Sequence, residues 1–175
     1  MRNPCLFVIA LALAACGPSS KEVAGARTAR YKGDKMTLWG GVKSVTESKY
    51  KIDKTDDTAM SLQTIARVYD PNGLVAGERN ANQVGQNAYT STYPDLSLII
   101  AMNVALQPDG DAFLVVVHPI IERYHAGSPQ TEPLHEGDIS LPGWVQGKVD
   151  QLALELHEAL AQFEVKTVPA AAPAS

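Results

Sequence analysis

The chain carries Leu96-Ser-Leu-Ile-Ile-Ala-Met-Asn-Val-Ala-Leu106 and Ala112-Phe-Leu-Val-Val-Val-His-Pro-Ile-Ile121, two apolar segments joined by the turn sequence Pro108-Asp-Gly-Asp111. Both segments are apolar at successive positions, which is typical of strands buried on both faces in the middle of a sheet. Pro119 has no N–H to donate, so pairing along one edge of the second strand should weaken there. The stretch predicts a central hairpin.

A second hairpin is predicted over residues 58–80. The sequence Asp70-Pro71-Asn72-Gly73 is typical of a tight turn. The aspartate side chain can accept hydrogen bonds from the turn backbone, proline fixes its own φ, and glycine can adopt a positive φ. The strand before this turn should place one set of apolar side chains on a common face, namely Met60, Leu62, Ala66 and Val68. The Asn-rich segment 80–87 has too little apolar content for a core, so we expect a loop there.

Residues 36–52 are rich in Thr, Ser, Val and Lys, and from Val42 onward small or apolar residues alternate with lysine and glutamate. This pattern favours a half-solvated strand near a sheet edge, with a bulge at Gly40-Gly41. Residues 122–140 contain two glycines and two prolines and predict a long irregular loop, a length that is usually either functional or mobile.

An amphipathic helix of about 20 residues is expected after this loop, capped by Ser140 or Asp138 and with Pro142 in its first turn. Its apolar face recurs at steps of three and four: Val145, Val149, Leu152, Leu156, Leu160 and Phe163. Together these elements predict an α+β fold, with an antiparallel sheet of four to five strands in two hairpins and one C-terminal helix packed across a face. The globular domain should span residues 34–165, followed by a disordered Pro/Ala tail over residues 166–175.

The amino terminus has Arg2 followed by the apolar run Cys5 to Ala15, which is too short to span a bilayer and fits a signal peptide. The run ends in Leu13-Ala14-Ala15-Cys16, which resembles the lipobox of bacterial lipoproteins. The resemblance implies that residues 1–15 are removed, that Cys16 carries three acyl chains, and that Gly17, in place of a retaining aspartate, directs the protein to the outer membrane. An ordinary signal peptide with a chance cysteine is the alternative. Residues 16–33 show no apolar periodicity and predict a flexible tether.

Charge and cysteine content exclude several function classes. Without residues 1–15 the chain keeps fourteen basic and nineteen acidic residues, a formal charge of −5. Such a domain lacks the basic surface that nucleic acid or anionic lipid would bind, so we expect no nucleic acid partner, and membrane attachment through the acyl chains alone. With Cys5 removed and Cys16 acylated, no thiol remains for catalysis or zinc binding.

The histidines are candidates for a zinc site. His125 and His135 lie with Glu132 and Glu136 in the 122–140 loop, and two imidazoles with a carboxylate form one kind of zinc site. Their spacing matches no known zinc pattern, so a solvated loop is favoured and no cofactor is expected. His118 lies inside an apolar strand and indicates a core or edge residue. His157 is expected on the surface of the C-terminal helix.

The acidic clusters are better explained as turns and solvated charges. Asp109-Gly110-Asp111 and Asp70-Pro71-Asn72-Gly73 lack the further ligands of a calcium loop. Asp53, Asp56 and Asp57 form a polar cluster whose facing geometry the sequence does not define. No nucleophile elbow or phosphate loop is present, which argues against an enzyme. Trp39 and Trp144 are expected in the core, and if both were exposed they would be candidate anchors for a partner.

We therefore expect a non-enzymatic, lipid-anchored envelope protein, held at the outer membrane and facing the periplasm, whose sheet and helix bind another envelope protein. One alternative is a binding module for a small ligand or a cell-wall fragment that uses the 122–140 loop. A metal-dependent hydrolase at the same loop is the third hypothesis.

Overall fold

A computed structural model of the protein describes residues 18–79 and 93–165. The predicted signal peptide 1–15, the predicted acylation site Cys16, the predicted loop 80–87 and the predicted tail 166–175 lie outside the described residues. The helices are α1 Ser20–Thr28, α2 Lys35–Lys49 and α3 Gly143–Leu160, the last followed by a 3₁₀ turn at Ala161–Phe163. The strands are β1 Arg30–Tyr31, β2 Ile52–Asp56, β3 Ser61–Thr64, β4 Ala66–Tyr69, β5 Val75–Arg79, β6 Leu98–Asp109, β7 Ala112–Arg123 and β8 Glu132–Leu134.

The predicted central hairpin is confirmed. β6 and β7 pair antiparallel along their whole length, from Leu98 opposite Arg123 to Asp109 opposite Ala112, and Gly110 takes a φ of +65° in the two-residue turn. On its other edge β7 pairs with β1 at residues 113–114 and with β8 at residues 121–123. No described strand pairs with β7 between these two contacts, where Pro119 lies, as its missing N–H predicts.

The fold class is confirmed, but the number of strands is wrong. The described residues form an α+β domain with an antiparallel sheet of eight strands, not four to five. The additional strands are short: β1 has two residues, β2 five and β8 three, and the predicted strand before the Asp70 turn is divided into β3 and β4. β8 lies inside the predicted irregular loop 122–140, so part of that loop extends the sheet. Strands of this length have too few residues for a periodic pattern, which is why the sequence does not reveal them.

α3 covers the inner face of the sheet, the face opposite the smaller cluster that Val68, Ile99 and Tyr124 form. Five of the six predicted stripe residues are buried, and Phe163, in the 3₁₀ turn, packs against the same core. The helix starts later than predicted, since Pro142 is its N-cap and makes no side-chain capping bond. Neither Ser140 nor Asp138 caps the helix; the Asp138 carboxylate accepts a hydrogen bond from the Ser140 backbone N–H at 2.8 Å instead.

Residues 36–52 form mainly a helix, so the predicted edge strand is wrong. Asp34 caps α2 by accepting the Thr37 N–H at 2.8 Å, a standard N-terminal signal. The buried side chains recur at helical rather than alternate spacing: Leu38, Trp39, Val42 and Thr46. Packing of this stripe against the core outweighs the weak β propensity of the Thr- and Val-rich segment. Gly40-Gly41 lies inside the helix rather than in a bulge.

The predicted flexible tether is also wrong for its described part. Ser19 and Glu22 form a reciprocal capping box that starts α1, and Ala26 is buried. β1 then joins the sheet, with Tyr31 buried in the core and its hydroxyl 3.0 Å from His157 Nδ1. Arg27 near the end of α1 pairs with Asp150 of α3 at 2.8 Å. The packed part of the chain therefore begins at α1 rather than at residue 34.

The strand before the Asp70 turn is broken at Ile65, which the predicted hairpin does not include. The Thr64 hydroxyl accepts the Met102 backbone N–H at 2.9 Å, and the Ile65 N–H donates to the Lys51 carbonyl. As a result, one residue of this strand is not paired with β6. A one-residue shift sends the following side chains to the other face. Met60 and Leu62 therefore lie in the main core, while Ala66 and Val68 lie on the opposite face with the smaller cluster.

Candidate functional site

The 122–140 loop does not gather its histidines into a metal site. His125 Nε2 lies 3.0 Å from Glu132, which also pairs with Arg123 at 3.2 Å. The pKa of the Glu132 carboxyl is lowered, mainly by the hydrogen bond that it forms with His125. His135 takes no part in this group. Within residues 18–79 and 93–165, no three His, Cys, Asp or Glu side chains lie close enough together to hold a metal ion.

The other two histidines have separate neighbours. His118 is an exposed residue of β7, 3.6 Å from Glu136. His157 is only partly exposed because its ring contacts Tyr31, so the prediction of a surface histidine is only partly right. Burial raises the pKa of Tyr31, which keeps its hydroxyl protonated beside the imidazole.

The acidic clusters bond to turns and cations rather than to one another. Asp56 accepts the backbone N–H groups of Thr58 and Ala59, while Asp57 accepts the Trp39 indole N–H at 2.6 Å. At the central turn, Asp109 pairs with Arg30 and Asp111 with Lys32. Asp70 accepts the N–H groups of Asn72 and Leu74, as the predicted turn requires.

The two tryptophans have different environments. Trp39 is fully buried, which excludes it as a surface anchor. Trp144 is partly buried at the start of α3, with its ring 5.4 Å from that of Tyr69. A Cβ atom on Gly73 would lie 3.0 Å from the Trp144 ring, so the Asp70 turn packs directly on the first turn of α3. Trp144 therefore joins the turn to the helix.

Three loops meet at this end of the domain. Pro71 from the Asp70 turn, Leu96 from the turn before β6, and Ser140 with Pro142 from the segment before α3 line one shallow pocket of about 210 Å³. Arg123 lies at the base and donates to the Ser140 carbonyl and hydroxyl oxygens at 3.2 and 2.8 Å. Loops from three distant parts of the sequence thus form one surface.

This surface is strongly apolar. Leu74 is 68% exposed, Leu96 is 49% exposed and Ile139 is fully exposed. Leu96 lines the pocket with Pro71 and Pro142, while Leu74 and Ile139 lie on the same turn segments, three residues after Pro71 and next to Ser140. We call these five residues the loop surface. Single exposed leucines are common on proteins, but apolar side chains on converging loops are typical of a binding site.

Leu96 is held in an unfavourable backbone conformation. Its φ is +63°, a left-handed value that side chains other than glycine, asparagine and aspartate seldom adopt. Its neighbours hold the conformation: Ser97 accepts the Tyr124 N–H through its carbonyl, and the Asp95 carboxylate accepts the Ala126 N–H at 2.8 Å. Strain of this kind persists where surrounding structure imposes it and is concentrated at functional sites.

No sequence motif identifies the loop surface. The available signal was the position of large apolar residues inside turn segments: Leu74 directly follows Gly73, and Ile139 lies between Asp138 and Ser140. Which loops converge depends on the sheet topology, and that is a long-range property.

The contact between Gly73 and Trp144 predicts a stability effect. Gly73 has a φ of +85°, and an added Cβ would also press on the indole ring. Gly73→Ala should therefore lower the free energy of unfolding by about 2–4 kcal/mol.

The matched control is Gly110→Ala, because Gly110 has a similar φ but open space around the position of an added Cβ. It should cost only about 1–2 kcal/mol in the same urea titration. Equal losses in the two variants would contradict the packing of the turn on Trp144.

Comparison of the chain with profiles of known protein families and with curated protein sequences finds no match. Among the described residues, no helix is both long enough and apolar enough to cross a membrane.

Proposed function

We propose that the protein is a lipid-anchored component of the bacterial envelope that binds another envelope protein through the loop surface. The observation that carries this proposal is the pocket that Pro71, Leu96 and Pro142 line where three turn segments meet, since the same segments also carry the exposed side chains of Leu74 and Ile139. Burying apolar side chains of this size contributes about 1.5–3 kcal/mol each, which makes them suitable anchors.

The loop surface is ordered before any partner arrives. Asp70 holds its turn with two side-chain hydrogen bonds, and Arg123 holds the segment before α3 with two more. Flanking bonds hold Leu96 in place. Ordering loops at an interface subtracts from the binding free energy, so loops that are already ordered favour tighter binding.

The position of α1 changes the expected distance between domain and membrane. Ser19 caps α1, so only residues 17–19 lie between the proposed acylation position, Cys16, and the first residue of α1, Ser20. The four residue intervals from Cys16 to Ser20 span at most about 14 Å even when fully extended. If Cys16 is acylated, the domain lies close to the bilayer rather than at the end of a long tether. A partner should then itself lie at the membrane surface.

A charge on the loop surface tests this proposal. In cells that carry the full-length protein, the variant Leu96→Asp/Ile139→Asp should lose most of the chemical crosslinking to one defined envelope protein. Neither substitution removes a buried side chain, and aspartate tolerates the left-handed φ at position 96 better than leucine does, so folding should be preserved.

The control is Met36→Asp. Met36 is 58% exposed in the first turn of α2, and the neighbouring Gly33 packs near Phe163, which follows α3, so this position lies at the other end of the helical layer. It should leave the crosslink unchanged. A crosslink that survives in the loop-surface variant, or one that is equally reduced by Met36→Asp, would contradict the proposal.

A further inference from the structure

A second pocket lies between the end of α2, β4 and the middle of α3. Its volume is about 210 Å³, below the roughly 300–1,000 Å³ of pockets that enclose drug-sized ligands. Three cationic side chains and two tyrosines line it together with one carboxylate: Lys49, Arg67, Lys148, Tyr50, Tyr69 and Glu155. Cations therefore dominate this pocket in a chain whose net charge is −4.

The acidic residues around the pocket do not balance these charges. Glu155 pairs with Lys49 at 3.0 Å. Glu78 lies outside the pocket, where it pairs with Lys51 and approaches Arg67 only to 3.8 Å. Among the described residues, Lys148 forms no ion pair. The pocket thus keeps an excess of positive charge, and Arg67 and Lys148 supply it.

Lys148 is placed by two aromatic rings. Its Nζ lies 4.5 Å from the ring centre of Tyr69 and 5.5 Å from that of Trp144. Partial burial, and then the nearby charge of Arg67, lower the pKa of Lys148. Cation–π contacts orient the ammonium group but do not neutralise it. An anion between Lys148 and Arg67 would relieve their repulsion.

Arg67 is fixed as well. It donates through Nη2 to the Lys49 carbonyl at 2.6 Å, and its guanidinium lies 4.5 Å from the ring centre of Tyr50. Guanidinium groups bind phosphate and carboxylate oxygens with defined geometry. The pocket therefore has one oriented Arg and one oriented Lys on neighbouring walls.

We propose that this pocket binds a phosphate monoester dianion. Its charge matches the excess positive charge that Arg67 and Lys148 contribute, and the pocket volume limits the ligand to a small molecule or a headgroup. The phosphate has two possible sources, a soluble phosphate ester or a monoester lipid headgroup such as that of phosphatidic acid.

The test uses residues 16–175 with Cys16→Ala, which include every residue that the structure describes and cannot be acylated at position 16. Inorganic phosphate should shift the backbone NMR signals of residues 67, 69 and 148 in a saturable way. Lys148→Met removes the charge and keeps the aliphatic packing on Tyr69, and it should weaken this binding by about tenfold or more. The matched control Lys54→Met removes the same charge from β2, where Lys54 is exposed, and should change nothing.

Vesicles separate the two sources. Flotation with phosphatidic acid vesicles that depends on Lys148, and that is absent with phosphatidylcholine vesicles, would assign the site to a lipid headgroup. Saturable phosphate binding without such flotation would assign it to a soluble ester. Shifts that do not saturate, or equal affinity of Lys148→Met and wild type, would overturn the proposal. Because this test needs no protein partner, its outcome is independent of the function proposed for the loop surface.

Discussion

Replacing Trp39 by alanine should lower the free energy of unfolding by about 3–5 kcal/mol, the largest single-residue effect that we expect. Trp39 is fully buried and lies in the main core with Leu38 and Val42 of the same helix. Its removal would leave a cavity at the junction of α2 with the sheet, and the tightly packed neighbours can fill it only in part. The loss is measured by urea denaturation followed by circular dichroism.

The indole N–H of Trp39 adds a second contribution, because it donates to Asp57 at 2.6 Å. This bond, and then one from Lys43, lower the pKa of the Asp57 carboxyl. A carboxyl whose pKa is lowered by folding stabilises the protein above its unfolded pKa, and this stabilisation is lost as the pH falls through the folded value.

Trp39→Phe is the matched control, since it keeps most of the ring and removes the donor. It should cost less than Trp39→Ala and should weaken the acid dependence of stability. A loss below about 1 kcal/mol for Trp39→Ala would contradict the burial of this side chain.

Changing Cys16 to alanine should abolish acylation of the protein completely. In bacterial lipoproteins the cysteine that ends the lipobox is the acylation site. One acyl chain holds a protein to a bilayer only marginally, whereas two or more hold it stably. Labelled fatty acid should therefore enter the wild-type protein and not the variant. The intact mass of the wild-type protein should correspond to a chain that begins at residue 16 and carries three acyl groups.

Cys5→Ala provides the control for this experiment. Cys5 lies in the same apolar run but outside the Leu13-Ala14-Ala15-Cys16 motif, and alanine keeps the run apolar. This variant should be acylated like the wild type. Label that persists in Cys16→Ala, or that is lost in Cys5→Ala, would show that the motif is not a lipobox.

The parts of the fold that the sequence predicts correctly are those with long, locally repeated patterns. β6 and β7 are continuous apolar runs around a tight turn, so pairing partner and register follow from neighbouring residues. α3 repeats its apolar stripe over five turns, with Val145 at one end and Leu160 at the other. The Asp70 turn likewise depends on four adjacent residues. Each of these signals is contained within one segment.

α2 and α1 could not be recognised so easily, because their sequences have weak intrinsic preferences. In residues 36–52 an accidental alternation of Val, Ser and Thr imitates a strand, while the helical stripe of Leu38, Trp39, Val42 and Thr46 is short. The Asp34 cap and the Ser19–Glu22 capping box were the local signals that pointed to helices. Tertiary packing decides whether such a segment forms a helix or a strand.

The candidate sites were harder still to predict than the helices. Leu96 and Ser140 are 44 positions apart in the sequence, and they line one pocket because Leu98 pairs with Arg123 and Arg123 donates to Ser140. Lys148 and Arg67 line one pocket because Tyr69 of β4 contacts Trp144 and Lys148 of α3. The one local signal was Trp144 four residues before Lys148, which places a cation beside an aromatic ring on one helix face.

Site-specific photo-crosslinking in living cells tests most directly whether the loop surface binds an envelope protein. A photoreactive residue is placed at position 139 in one full-length protein and at position 36 in another, both of which are exposed. The proposed function predicts that one defined envelope protein is captured from position 139 and not from position 36. Identical products from the two positions, or no product from position 139, would contradict it.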